Sequence, residues 1–326
     1  MNIPPHSYAR VAADDLRDFA GRLGRAAGLT EARADLLAEL LTANDLRGVV
    51  SHGTRQLATY ARLLRDGVLN PEPAVETVRE TPTSLLMDGD GGLGYFPAHD
   101  GTEMLIDKAL ASGTAVLVTR NHGHFGAAGL YSRMTLPHDL LCFVTSGHQL
   151  HLHRGDPVYA AGGGSPMSFS APTGEEPPVV LDFGAMHDLY EGSSRDQLAV
   201  IAPGLVLRNI GLGIICQSWG GLLAGLPLDP ARAHPRWAGA NQGSMVVAMR
   251  IDLFIEPDAF KAEMDAYARA VRELVPVPRT GGSYLPGGKE AETESAYRTD
   301  GIPVGAEHRE LLQTVADELA VTAPWT

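Results

Sequence analysis

The sequence predicts a mixed α/β protein in which helical segments from the two ends of the chain pack together and a sheet-forming middle is inserted between them. Three observations carry this. Leucines recur at helical spacing before residue 70, and a helical period returns after residue 257. Short β-rich runs with helical stretches among them fill the middle. No dinucleotide-binding glycine fingerprint follows a first strand. At 326 residues, 44% hydrophobic and 20% charged, the chain can bury one large core or two modest ones.

In chain order, Thr30 is placed to cap a helix over 30–45 in which Leu36, Leu37, Leu40 and Leu41 recur, with Gly48 beyond its end. A second helix starts near Ser51, buries Leu57, Tyr60, Leu63 and Leu64, and stops at Gly67, where Asn70-Pro71-Glu72-Pro73 forbids continuation. Strands are expected over 84–87, 115–119, 140–145, 179–182 and 245–251, with helix over 102–112. Helical spacing resumes over 258–274 and 309–319, while 281–294 reads as a polar, turn-rich loop. The expected boundaries are 1–75 and 252–326 for the two parts of a terminal domain, and 76–251 for the inserted α/β sheet domain.

Composition excludes several partners. A formal net charge of -13 offers no field to hold a polyanion, so nucleic acid is not expected. No apolar run reaches spanning length and the first ten residues lack a signal-peptide core, so no membrane is expected and the cytoplasm is the expected compartment. Cys142 and Cys216 lie in apolar runs, which suits buried thiols in a reducing compartment.

Three constellations can carry chemistry. On a helix starting at Ser51, the residues His52, Arg55, Gln56, Thr59 and Tyr60 share a side, where a guanidinium could match a substrate carboxylate. The same pattern fits a plain helix start in which Ser51 caps, Tyr60 is core and Arg55 is solvated. The run from Arg120 through Asn121-His122-Gly123-His124-Phe125-Gly126 to Gly129 follows a strand, and small residues there would let a substrate approach an imidazole acting as general acid; solvated or backbone-satisfied histidines are the alternative. In the tract His148-Gln149-Leu150-His151-Leu152-His153, an extended backbone would point His151 and His153 to one side. No nearby cysteine or carboxylate completes a metal set, so no metal is expected.

Taken together, the run 44–53 with its Ser51-His52-Gly53 and on to Tyr60, the run Asp66-Gly67-Val68-Leu69-Asn70-Pro71, and the run 121–129 resemble the type-2 malate/L-lactate dehydrogenase family, which also contains ureidoglycolate, sulfolactate and cyclic-imine carboxylate reductases. Gly211-Leu212-Gly213, the glycines of 220–225, Asn241-Gln242-Gly243 and Asp300-Gly301-Ile302-Pro303-Val304 extend the resemblance over nearly the whole chain. It implies a non-Rossmann fold, a homodimer and a reductase of 2-oxo acids, 2-hydroxy acids or cyclic 2-imino acids using NADH or NADPH, with cofactor and small-molecule carboxylate bound by the inserted domain. By the same resemblance His52 and His124 are the candidates for proton exchange with the substrate, and Asp182 is the group that orients an imidazole. Ser51, Arg55 and Tyr60 would bind substrate; Asn121, Gly164, Ser165 and Arg208 would bind the cofactor.

The chain also departs from the family pattern. Val50 stands for the usual aspartate before the serine-histidine pair, and Gln56 for an arginine. Gly163-Gly164-Ser165-Pro166 replaces glycine-threonine-asparagine-proline, Asp182-Phe183-Gly184-Ala185-Met186 replaces aspartate-x-alanine-threonine-serine, and Arg208-Asn209-Ile210-Gly211 replaces lysine-glycine-tyrosine-glycine. A second reading therefore stands beside the first: acid/base chemistry without a cofactor, or ligand binding alone, on the same fold.

Overall fold

In the computed structural model, which describes residues 5–189, 192–233, 235–278 and 280–325, both ends of the chain contribute to one unit, Met1–Pro73 with Gly288–Thr326, and Ala74–Gly287 forms the other. The first unit opens with β1 (Tyr8–Val11), followed by α1 (Ala13–Ala26), whose first turn carries Asp14 and Asp15 and whose last carries Arg25, as the helix dipole favours. α2 (Glu31–Leu46) starts directly after Thr30. Gly21 and Gly24 of α1 leave room for Asp35 and Ala34 of α2, so the two helices approach closely. α3 spans Leu57–Arg65. It does not reach back to Ser51, because Gly53 is extended at φ -89° and ψ -157° and separates two 3-10 turns, Val50–His52 and Thr54–Gln56, that precede the helix. Ser51 and His52 therefore lie on a loop instead of a helix face.

The second unit holds a seven-stranded sheet. Its strands are β2 (Glu76–Thr81), β3 (Ser84–Asp88), β4 (Thr114–His122), β5 (Leu140–His148), β6 (Pro166–Ala171), β7 (Val179–Gly184) and β8 (Gln242–Arg250), in the order β2-β3-β4-β8-β5-β6-β7. Only β3 and β4 run parallel, joined by α4 (Tyr95–Ser112); every other pair is antiparallel. Gly101 of α4 lies where a Cβ would come within 2.7 Å of Leu117 and Met87, so the helix sits directly on the sheet, over buried Ala115 and Leu117. α5 (Gly129–Met134) follows the histidine-bearing turn, and α6 (Gly192–Ile201) and α7 (Pro203–Cys216) lead into a π-helical turn, Gln217–Leu222. There glycine packs on glycine: a Cβ on Gly220 would stand 2.5 Å from the Ser146 Cα.

Two expectations are corrected. Residues 252–287 belong with the sheet, not with the terminal helices. On α8 (Pro257–Arg272), the Asp265 carboxylate accepts from the backbone N–H groups of Gly174, Glu175 and Glu176 at 3.0, 2.9 and 3.1 Å, and Arg272 pairs with Glu176, which ties the helix to the β6–β7 connection. Of the polar run 281–294 expected to be a loop, 281–287 is turn and irregular chain, whereas the remainder opens α9 (Gly288–Asp300), a helix with no buried residue, anchored by the Arg47–Glu294 ion pair at 2.9 Å. β9 (Ile302–Gly305) then pairs antiparallel with β1, and α10 (Ala306–Glu318) closes the first unit. Among the described residues no helix is long and apolar enough to cross a membrane.

Candidate active site

In the first unit, the last turn of α2 holds the Ser51–His52 loop. Asn44 Nδ2 donates to the His52 carbonyl at 2.9 Å. Asp45 Oδ2 accepts from the Thr54 backbone N–H at 2.8 Å and from the Thr54 hydroxyl at 2.6 Å. A Cβ on Gly53 would overlap the Asp45 carboxylate, which is the physical reason for glycine after His52. Burial pushes the Asp45 carboxyl up to about 7, against the hydrogen bonds from Thr54. Thr54 Oγ1 also lies 3.2 Å from Nε2 of His308, an imidazole that burial and nearby Arg55 push down to about 4. His52 is half-buried, with Nδ1 3.0 Å from Ser51 Oγ, and Gln56 Nε2 donates to the Ser51 carbonyl at 2.6 Å. Arg55 is engaged in an ion pair with Glu307, and Tyr60 is enclosed in the helical core at 1% exposure.

In the second unit, β4 delivers its histidines into a braced turn. Asn121 takes a φ of 53°, and its Nδ2 donates to Asp88 Oδ1 at 2.7 Å while Arg120 Nε donates to Asp88 Oδ2 at 3.0 Å. Gly89 and Gly91 donate to the carbonyls of Arg120 and Asn121, Gly123 donates to Gly92, and Gly94 donates to the His124 carbonyl, so the turns 89–94 and 120–124 brace each other. His122 is fully buried; its Nδ1 donates to the Gly123 carbonyl at 2.7 Å and its Nε2 accepts from the Thr119 hydroxyl at 2.7 Å, which in turn meets Ser244 Oγ at 2.5 Å. Burial holds it neutral, with its pKa down to about 4. His124 is the partly exposed one of the two, its ring meeting Tyr95 edge-on at 6.5 Å and 82°. Asp182, exposed near the end of β7, has Oδ2 2.5 Å from where a Cβ on Gly129 would stand, so the fold brings it to the segment just after the His124 turn.

Gly164 lies in a tight turn between Gly163 at φ 57° and Ser165 at φ 51°. Ser165 is fully buried, and its hydroxyl donates to the Gly162 carbonyl. Gly213 of α7 packs on both, and Arg208, one and a half turns earlier on that helix, is exposed with only Nε engaged, on the Gly204 carbonyl at 2.9 Å. The histidine tract is not a matched pair on one strand. His148 ends β5 and is half-buried, with its pKa lowered by burial and by His151, while His151 and His153 are exposed on irregular chain. The cavity beside His148, lined by Leu150, Gln217 and Leu226, is about 40 Å³, room for about one water and too small for a substrate. Asp45, Thr54, His308, Asp88 and Tyr95 were not singled out from sequence, since their partners lie up to 254 residues away and no local pattern announces them.

The chain is similar throughout its length to known dehydrogenases. The family model for malate/L-lactate dehydrogenase matches residues 11–186 and 197–313. A malate dehydrogenase of Pyrococcus horikoshii is 25% identical over 97% of each chain, and a ureidoglycolate dehydrogenase (NAD(+)) of Escherichia coli O157:H7 is 24% identical over 85% of this chain and 87% of the relative. The solved structure of a malate dehydrogenase from Pyrococcus horikoshii superposes with a TM-score of 0.86 at 23% identity, covering 99% of both chains. The mixed sheet, the inserted unit and the match along both show that this chain belongs to the malate/L-lactate dehydrogenase family of oxidoreductases.

Proposed function

We propose that the protein interconverts a small 2-hydroxy acid, or the equivalent cyclic amino acid, with its 2-oxo or 2-imino partner, using a nicotinamide cofactor. The observation that carries this is His124: a half-buried imidazole on a braced, glycine-rich turn at a strand end, where small neighbours let a substrate approach. Relatives named for malate and, with NAD(+), for ureidoglycolate support the substrate class and the cofactor. We assign Arg208 and the Gly164–Ser165 turn to hold the cofactor, because they border one helix and the Arg208 Nη groups have no partner among the described residues. A bound nicotinamide would supply hydride chemistry. In the second unit His124 would exchange the proton at the substrate oxygen or nitrogen and Asp182 would orient an imidazole; in the first unit His52 is the alternative donor, with Ser51 and Arg55 as its substrate-binding neighbours, whereas Tyr60 is enclosed in the helical core. Arg55 must trade Glu307 for a substrate carboxylate, which favours an acid that binds two-pronged.

Turnover and calorimetry test this. Replacing the donor histidine by alanine reduces kcat by about a hundredfold or more. Normal turnover in both H52A and H124A would remove the assignment. Titration with NADH and with NADPH gives saturable binding at micromolar ligand. The inward-turned Ser165 hydroxyl favours the second reading, acid/base chemistry without a cofactor or ligand binding alone, and absence of heat with either nucleotide at millimolar ligand would overturn the first and leave the second standing.

We also infer a homodimer. Phe143, Phe169 and Leu181 stand opposite one another across β5, β6 and β7, and Trp219 meets Phe143 edge-on at 5.8 Å. Phe169, Leu181 and Trp219 are 44%, 39% and 45% exposed, a contiguous apolar face of the kind that a second copy covers.

A further inference from the structure

The turn before α3 is tied to the C-terminal helix by a chain of buried polar groups. Asp45 lies in the last turn of α2, where the helix dipole disfavours a negative charge, and it is 1% exposed. A carboxylate there is retained only if its hydrogen bonds outweigh its desolvation. Its Oδ2 has two donors, both from Thr54, while Oδ1 has no hydrogen-bond partner. Thr54, with no exposed surface, has one hydroxyl proton, and the 2.6 Å contact directs it to Asp45. With Asp45 ionised, the Thr54 oxygen accepts from His308, which assigns the Nε2–H tautomer to that imidazole in this state. The order is therefore imidazole N–H to hydroxyl to carboxylate, from α10 through the 3-10 turn to α2. Beside it, Arg55 and Glu307 join the same two segments at the surface. Between the anchors lie Ser51, His52 and Gly53, with the His52 carbonyl held by Asn44 and Gly53 pressed on the Asp45 carboxylate.

We propose that Asp45, Thr54 and His308 form a buried strut that fixes the placement of the Ser51–His52 loop, so that these three are positioning residues for His52. Its bearing on catalysis rests on the reading of His52 given above, whereas the strut itself does not. The arrangement explains why glycine must follow His52: the loop reaches its anchor only by passing over the carboxylate. It also explains a polar chain kept inside a helical unit whose other buried contacts are largely apolar, since apolar groups would fill the space without fixing the loop's direction.

The ring signals of His52, assigned by comparison with H52Q and followed by NMR in the full-length protein, test the strut without any ligand. Thr54→Val keeps the shape and the backbone N–H but breaks the chain; Thr54→Ser retains it. His52 signals shift in T54V and return to the wild-type position in T54S, and H308Q, whose amide can still donate, shifts them less than H308L. Identical His52 signals in wild type and folded T54V would overturn the strut. Turnover is read separately: with the strut broken, kcat falls roughly tenfold to a hundredfold while nucleotide KM stays near wild type. If H52Q turns over normally while T54V still moves the ring, the strut stands and the catalytic reading of His52 falls.

Discussion

His122 and His124 are two residues apart and have opposite surroundings. The first is enclosed between the Gly123 carbonyl and Thr119, the second half-exposed against Tyr95. The family resemblance singles out His124, but the spacing of the pair does not divide their surroundings, because the division depends on Thr119 and on the turn 89–94 brought alongside by the sheet. His52 and its glycine were legible from the sequence; the carboxylate that requires the glycine was not. His122 also makes a testable contribution to acid stability. With a folded pKa of about 4 against an ordinary 6.5, the unfolded chain takes up a proton first as pH falls. Stability is therefore full above about 6.5, declines through the window down to about 4 and is level below it, a loss of about 3 kcal/mol for a shift of this size. His308 acts in the same direction, and Asp45, with its raised pKa, in the opposite one: it favours the folded state at low pH and loses that advantage between about 4 and 7. Thermal melting from pH 7 to pH 4 should show a shallower decline in H122Q than in wild type. Equal slopes would mean that His122 is not held neutral.

At the scale of elements, periodic apolar sequence was the reliable signal and polar sequence was not. α2 and strands β3, β4, β5, β7 and β8 all carry apolar runs and lie close to where those runs predict them. α9 escaped because Glu290, Glu292 and Glu294 leave no apolar stripe, and its position depends on Arg47, 247 residues before Glu294. α3 was expected too early, since an extended glycine inside a helical pattern has no signature of its own. The π-helical turn at 217–222 depends on backbone approach, so Gly220→Ala is a stringent probe. Its Cβ would meet the backbone of Ser146, which cannot swing aside as a side chain can. The variant should lose about 1 to 3 kcal/mol, the usual range for overpacking. Cys216, fully buried at the start of that turn, should then react faster with a thiol reagent, while Cys142 inside β5 stays protected. Unchanged reactivity of Cys216 would show that the turn accommodates the methyl group.

For the whole molecule, light scattering should give twice the 34.6 kDa chain mass. A double substitution F169D/L181D should reduce it to one, because two buried carboxylates facing apolar surface cost more than the contact returns. A wild-type mass of one chain, or an unchanged mass in the variant, would place the interface elsewhere or remove it. Another consequence lies in the order in which the chain is made. Strand β1 needs β9, almost three hundred residues later, and Thr54 needs His308. The inserted unit is continuous from Ala74–Gly287 and has all its own partners once that stretch has left the ribosome. The helices that emerge first are therefore the last to be completed. During translation α1 to α3 must carry their apolar faces unfinished while the sheet assembles behind them, so a nascent chain arrested before residue 302 exposes its own beginning to proteases and chaperones.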